Sequence, residues 1–315
     1  MSTVDADLEV PGAAGETAAP GAGITAARLA RVGDLDVRRL LPLRQRRSVG
    51  AWCFVDHYGP ASVDGVAGMQ VPPHPHIGLQ TVTWLIAGNV LHRDSLGSEQ
   101  VIRPGQLNLM TAGRGIAHSE ESPQDHDPWL HGVQLWLALP DAHRQVAPDF
   151  EHHADLPAAR LGGLDVTVFA GSLAGLTSPA RVFSGVVGAE LAAPADAAGT
   201  VPLEPGYEHV LFVAFGVVAA DGTELRPGSL LYLPPGRGSV AINAAPGARL
   251  FLLGGEPLGE TLLMWWNFVG RTPDDIAAAA RDWAAGERFG TVTGYRGAPL
   301  PAPPLDPVRL ARKAR

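Results

Sequence analysis

The chain has 315 residues, a formal net charge of -8, 46% hydrophobic and 18% charged residues, and one cysteine, Cys53. The acidic balance excludes a general electrostatic attraction to DNA or RNA. The lone cysteine excludes an intrachain disulfide and suits a reducing compartment such as the cytoplasm, and no apolar run approaches the roughly 18 residues of a membrane span.

The 38 glycines and 28 prolines cut the chain into short apolar segments, a pattern of β structure rather than of a helical bundle. Residues 1–24, rich in Ala, Gly, Pro and acids, read as a disordered leader with no secretory signal. A Leu-rich basic stretch runs from Arg31 to Arg47. Its cluster Arg44 to Arg47, like Arg309 to Arg315, reads as a solvated surface. Val49 to Asp56 reads as a buried strand ended by Tyr58-Gly59-Pro60, with Cys53 as a small buried hydrophobe. Val71-Pro72-Pro73 stiffens the approach to His74-Pro75-His76-Ile77-Gly78. Strands are then expected at Leu79 to Ile86, Val90 to Arg93, Gln100 to Arg103 and Leu107 to Thr111, each bounded by a turn. Gly113-Arg114-Gly115 bends the chain just before His118-Ser119-Glu120. Further strands are expected at Val133 to Leu139, Arg181 to Ala193 and Leu262 to Val269. Thr272-Pro273-Asp274-Asp275 signals a helix start, with the helix over Ile276 to Ala285, a stop at Gly286, and an extended tail from Pro299 to Pro307.

Two alternating pairs stand out, His74-x-His76 and His118-x-Glu120. Residues two apart on a strand share a face, so each pair presents two ligands in one direction. Three imidazoles and one carboxylate suit a divalent first-row metal such as Fe(II), Mn(II), Ni(II) or Zn(II). The other histidines (His57, His92, His126, His131, His143, His152, His153 and His209) read as structural or solvated, with His92 the reserve ligand because its strand falls between the two pairs.

The sequence also repeats itself. Arg103-Pro104-Gly105 through Gly113-Arg114-Gly115 is echoed by Arg226-Pro227-Gly228 through Gly236-Arg237-Gly238 at an offset of 123 residues. That offset sets Ala241 against His118 and Asn243 against Glu120. Aligning Gly88 with Gly216 sets Pro202 against His74 and Glu204 against His76. The second copy therefore keeps the turns and lacks the ligands.

The stretches His74 to Val82, Met110 to Glu120 and Leu263 to Phe268 together resemble the pirin family of the cupin superfamily, over approximately residues 30 to 305. The resemblance implies an all-β bicupin: two face-to-face antiparallel β-barrels with a short C-terminal helix. It implies a metal-binding domain over 25–160, a second cupin without ligands over 161–300, and a Pro-rich basic tail over 301–315. It further implies mononuclear Fe(II) on His74, His76, His118 and Glu120, with Mn, Ni or Zn as alternatives. Gln80 departs from the general cupin glutamate at a position pirins do not use as a ligand. The activity implied is a dioxygenase cleaving a flavonol such as quercetin, a small aromatic substrate, with Glu120 accepting the substrate hydroxyl proton. The other function attached to the family is metal- and redox-dependent binding of a transcription factor or metabolic enzyme. Arg114 is a candidate surface or supporting residue in either case. The chain is expected to be a cytoplasmic monomer with no direct nucleic-acid or membrane partner.

Overall fold

A computed structural model describes residues 23–32 and 35–306. The strands of the first half are, in chain order, β1 (Gly23–Ala26), β2 (Arg28–Val32), β3 (Leu35–Leu41), β4 (Trp52–Ser62), β5 (Gln70–His76), β6 (Leu79–Ala87), β7 (Val90–Asp94), β8 (Glu99–Ile102), β9 (Leu107–Thr111), β10 (Ile116–Glu121), β11 (Trp129–Ala138) and β12 (Asp149–His153). A large sheet in the order β12-β9-β6-β11-β4-β3-β2 faces a small sheet in the order β5-β10-β7-β8.

The second half repeats the plan with β13 (Ala158–Leu161), β14 (Leu164–Leu173), β15 (Leu176–Thr177), β16 (Val186–Ala192), β17 (Ala197–Pro202), β18 (Glu208–Phe215), β19 (Val218–Ala220), β20 (Thr223–Leu225), β21 (Ser229–Leu233), β22 (Ser239–Ala244) and β23 (Arg249–Gly255). Its large sheet runs β1-β21-β18-β23-β16-β14-β13 and its small sheet β17-β22-β19-β20. Apart from the short β15, which pairs with β14, the two halves match strand for strand. All pairings between these strands are antiparallel, and each half is a two-sheet sandwich whose hydrogen bonding does not close into a continuous barrel.

The large sheets pack face to face, because alternate residues of each are large and apolar on the side away from their own interior. Trp52, Trp84, Phe169, Phe212 and Phe251 lie in this shared core, each fully buried and worth roughly 1.5–3 kcal/mol of burial. Trp52 Nε1 donates to Val187 O and Gly254 O, both at 3.1 Å, which fixes the seam. Arg46 stacks over Tyr232, while its neighbours Arg44 and Arg47 are exposed. The cluster Arg44 to Arg47 is thus largely solvated, as expected, except for Arg46, which packs onto the second half.

The chain ends cross over. Gly23 and Ile24, expected in the leader, begin β1, which pairs with β21 of the second half; the rest of the expected leader lies outside the described residues. The C-terminal segment returns to the first half. Here the expected single strand from Leu262 to Val269 is a hairpin, β24 (Leu263–Trp265) and β25 (Phe268–Gly270), turned at Trp266 with φ 52°. Helix α1 (Pro273–Ala284) follows, capped by Thr272 with a reciprocal bond from Asp275. Ile276 and Ala279 pack with Trp266, Phe268 and Phe289 against Ile77 and Ala117 of the first half. The extended tail lies along β5, with Leu300 N donating to Pro73 O at 2.8 Å; its last residues and the basic cluster Arg309 to Arg315 lie outside the described residues.

Two further expectations fail locally. β4 does not end at Tyr58-Gly59-Pro60 but runs on to Ser62. Gly59, at φ 82°, forms a bulge against Leu130 and Gly132 instead of a turn. The segment from Arg181 is irregular as far as Gly185, and the strand begins only at Val186. No helix among the described residues is long and apolar enough to cross a membrane.

Candidate metal centre

β5 is an edge strand that pairs only with β10, so Pro73 and Pro75, on its outer edge, cost no ladder hydrogen bonds, and Pro72 lies where the ladder's register shifts. Across that pair His118 stands opposite His74, and a register shift between His118 and Glu120 re-aims the carboxylate. Gly78 closes the histidine motif at φ 68°, where any Cβ would lie 2.0 Å from Val269 O. The C-terminal hairpin is thus held tight against the motif, and Asn267 O receives His76 Nδ1 at 3.1 Å.

The structure brings His74, His76 and His118 together, with ligand atoms within 4.8 Å of one another. His76 Nε2 and His118 Nε2 are 3.1 Å apart. Glu120 groups with His118 and His92 under the same limit, so the two clusters share His118. Both clusters are buried, and among the described residues no third one exists. Glu120 accepts from Thr83 Oγ1 at 2.8 Å, and that hydroxyl is 3.1 Å from the Gln134 side chain.

Hydrogen bonds assign the tautomers. His74 Nδ1–H donates to Pro72 O at 2.8 Å, and His76 Nδ1–H to Asn267 O. His92 Nε2 is 3.2 Å from Asp94 Oδ2, and His92 Nδ1 is 3.4 Å from His118 Nδ1. Asp94 can only accept as a carboxylate, so His92 donates through Nε2 and receives His118 Nδ1–H. All three cluster imidazoles then keep an Nε2 lone pair for a common point, and His74 Nε2 is buried with no other partner. Ligand imidazoles oriented by acceptors on their second nitrogen are the arrangement metal sites use. His92 is thus placed to orient His118, it also belongs to the group with His118 and Glu120 that could hold a metal, and Phe150 stacks on it at 4.3 Å.

Burial sets the charges. It pushes His74 down to about 4 and His76 and His118 well below the ordinary imidazole range, with repulsion among the rings adding to it. Burial also raises the Glu120 carboxyl. Neutral imidazoles are the ligand form, and an arriving cation reverses the penalty on the Glu120 carboxylate. The donor set fits a divalent metal.

The remaining candidates fall elsewhere. Gln80 donates to Thr111 Oγ1 at 2.9 Å and Arg181 O at 2.8 Å, away from the cluster. Arg114 is exposed, and its part in the turn is played by its backbone, which donates to Val146 O and accepts from Arg288. Cys53 is fully buried, and its thiol is pushed up to about 12 by burial, an inert hydrophobe as expected.

The second half corrects the alignment of the repeat by one residue. Val90 pairs with Ile102 as Val218 pairs with Leu225, and two residues further on His92 faces Glu120 as Ala220 faces Ile242. His118 faces His74 as Val240 faces Val201. The counterparts of the ligands are therefore Val201, Leu203, Val240 and Ile242, not Pro202, Glu204, Ala241 and Asn243. All four are buried in the second interior, whose core is aliphatic.

The family model for pirin matches residues 34–137, and that for the pirin C-terminal cupin domain matches residues 188–290. A crystal structure titled quercetin 2,3-dioxygenase from Acinetobacter baumannii superposes with a TM-score of 0.88 at 44% identity, covering 90% of this chain and 96% of that one. A Pseudomonas aeruginosa protein provisionally named a quercetin 2,3-dioxygenase is 48% identical over 281 residues, 89% of each chain. A Caulobacter vibrioides pirin-like protein is 39% identical over 267 residues, 82% of this chain and 92% of its own length. The matched models, the paired sandwiches and these relatives agree: the chain belongs to the pirin family, as a bicupin.

Proposed function

We propose that His74, His76, His118 and Glu120 hold one divalent iron, and that the loaded site is a dioxygenase for a flavonol such as quercetin. The observation that carries the reading is the convergence of three neutral, buried imidazoles, each with its Nδ1 engaged and its Nε2 lone pair directed inward. The names of the two similar proteins above supply the substrate class. Four protein ligands leave about two positions on an octahedral metal, and open positions mark a catalytic rather than a structural site. Bound iron supplies Lewis acidity and a redox-active centre for a chelating 3-hydroxy-4-carbonyl substrate and dioxygen.

The residues of the chain do the rest. Glu120 accepts the substrate 3-hydroxyl proton at a carboxylate oxygen, and the Thr83 hydroxyl on Oε1 holds the group in place. His92 and Asp94 fix the His118 ring. Trp136, edge-on to His76 at 5.3 Å, and Phe150 keep the surroundings apolar and dry.

Glu120→Gln is expected to retain iron and to lose quercetin-dependent oxygen uptake, measured with an oxygen electrode after anaerobic Fe(II) loading. Uptake at the wild-type rate in the iron-loaded variant would remove Glu120 from the chemistry.

A further inference from the structure

Beside Glu120 lies a small cavity of the first half whose lining includes neither His74 nor His76. Its walls include Val37, Met69 and Val71, its outer lip is Leu35, and Tyr58 and Glu120 line it on the polar side. Val37, Met69 and Val71 are buried, and Leu35 is partly exposed. Asp56, also in the wall, is already occupied by Arg39, which donates to both carboxylate oxygens at 2.8 and 2.7 Å. The Tyr58 hydroxyl, in contrast, is buried and has no hydrogen-bond partner.

Size decides what the cavity can take. About 20 Å³ is open to a water-sized occupant, against the roughly 10–15 Å³ that one such molecule needs. A three-ring flavonol cannot enter, whereas a diatomic molecule can. Chemistry narrows it further. Asp56, Tyr58, Glu120 and Gln134 are its polar lining, but most of the exposed wall is apolar, and apolar cavities take up apolar gases.

We propose that this cavity admits dioxygen to the Glu120 side of the centre by a route separate from that of the organic substrate. The inference rests on the dioxygenase reading above and adds a second entrance to it. Leu35 and Met69 form the entrance, Val37 and Val71 the passage, and Tyr58 and Glu120 its inner end. The free Tyr58 O–H is placed to donate to a molecule arriving there.

Xenon-pressurised crystals, together with stopped-flow binding of nitric oxide to the anaerobic Fe(II)-loaded protein, test it without any flavonol turnover. The variants are Leu35→Trp at the partly exposed lip and Val71→Phe in the passage. Xenon is expected between Val37, Val71 and Tyr58 in the wild type and is lost when the passage is filled. The nitric oxide on-rate should fall roughly fivefold or more in both variants, as for a closed access route, while quercetin affinity stays within about twofold. An ordered water bridging Tyr58 and Glu120 with no xenon would overturn the proposal. So would an unchanged nitric oxide rate in variants whose crystals show the passage filled. If the wild type fails to oxygenate flavonols while the nitric oxide rates fall as stated, the gas route stands and the flavonol reading does not.

Discussion

Strand β10 turns His118 and Glu120 inward, and strand β22, at the same pairing positions, turns Val240 and Ile242 inward. Around the first pair the interior holds Thr83, His92, Asn108 and Gln134, all buried. Around the second lies a core of aliphatic side chains, Val201, Leu203 and Leu211 among them. One scaffold thus carries two interiors with opposite energetics. The aliphatic interior gains from every residue it buries. The polar one pays desolvation for each imidazole and recovers it through hydrogen bonds and, on the reading above, through a cation. The crossing of the chain ends ties the two together: β1 completes the sheet of the second half, and the C-terminal hairpin supplies the carbonyl that orients His76. Neither interior is built from its own stretch of sequence alone.

The difference can be broken most severely at matched positions. His118→Ala should lower metal affinity by on the order of 100-fold or more, because His118 belongs to both clusters. Ile242→Ala should leave metal content per folded chain unchanged while costing about 2–5 kcal/mol of stability as a buried large-to-small change. Elemental analysis paired with denaturant melts reads both, and equal metal loss in the two would erase the distinction. Next in size, Asp94→Asn frees the His92 tautomer and should cost roughly 10–100-fold in metal affinity with the fold intact. An Asp94→Asn protein with wild-type affinity, in a competition titration with a chelator, would mean that the His92 chain does not orient His118.

A third contrast lies at the seam between the halves and is read only on acidification. His57 and His131 are buried with their Nε2 atoms 2.8 Å apart, and burial pushes them down to about 3 and about 4. Arg249 of the second half adds to the shift of His131. Their folded values lie below the unfolded value near 6.5, so the unfolded chain binds more protons in between. The stability they contribute is complete above about pH 6.5 and is lost as the pH falls toward 4, at up to about 1.4 kcal/mol per pH unit for each. Calorimetry of the metal-free protein should show this slope, shallower in a His57→Gln, His131→Gln double variant. Identical slopes would place the acid sensitivity elsewhere.

Much of this was legible in the sequence. The two alternating pairs needed only the period of a strand, and the Thr272-Pro273 start of α1 needed only local capping chemistry. The duplication was visible in its turns, but it misplaced the silent counterparts by one residue. The second copy has one residue fewer between Gly236-Arg237-Gly238 and its inward-facing strand positions, and only cross-strand pairing reveals that. Gly59 read as a stop because a bulge and a turn share the same positive φ. The roles of Thr83 and Asp94, and of His92 as an orienting group, arise from partners on other strands, which no spacing along the chain encodes. Trp266 gave no sign of a turn, since an aromatic residue in a left-handed conformation is held there by its packing.

The most direct test moves the aliphatic set into the first half. A His74→Val, His118→Val, Glu120→Ile protein carries at three positions the residues of Val201, Val240 and Ile242, and its metal content after anaerobic Fe(II) loading is the quantity to measure. The account predicts one iron per chain in the wild type and none in this variant, with the fold retained. One iron per chain in both proteins would contradict it.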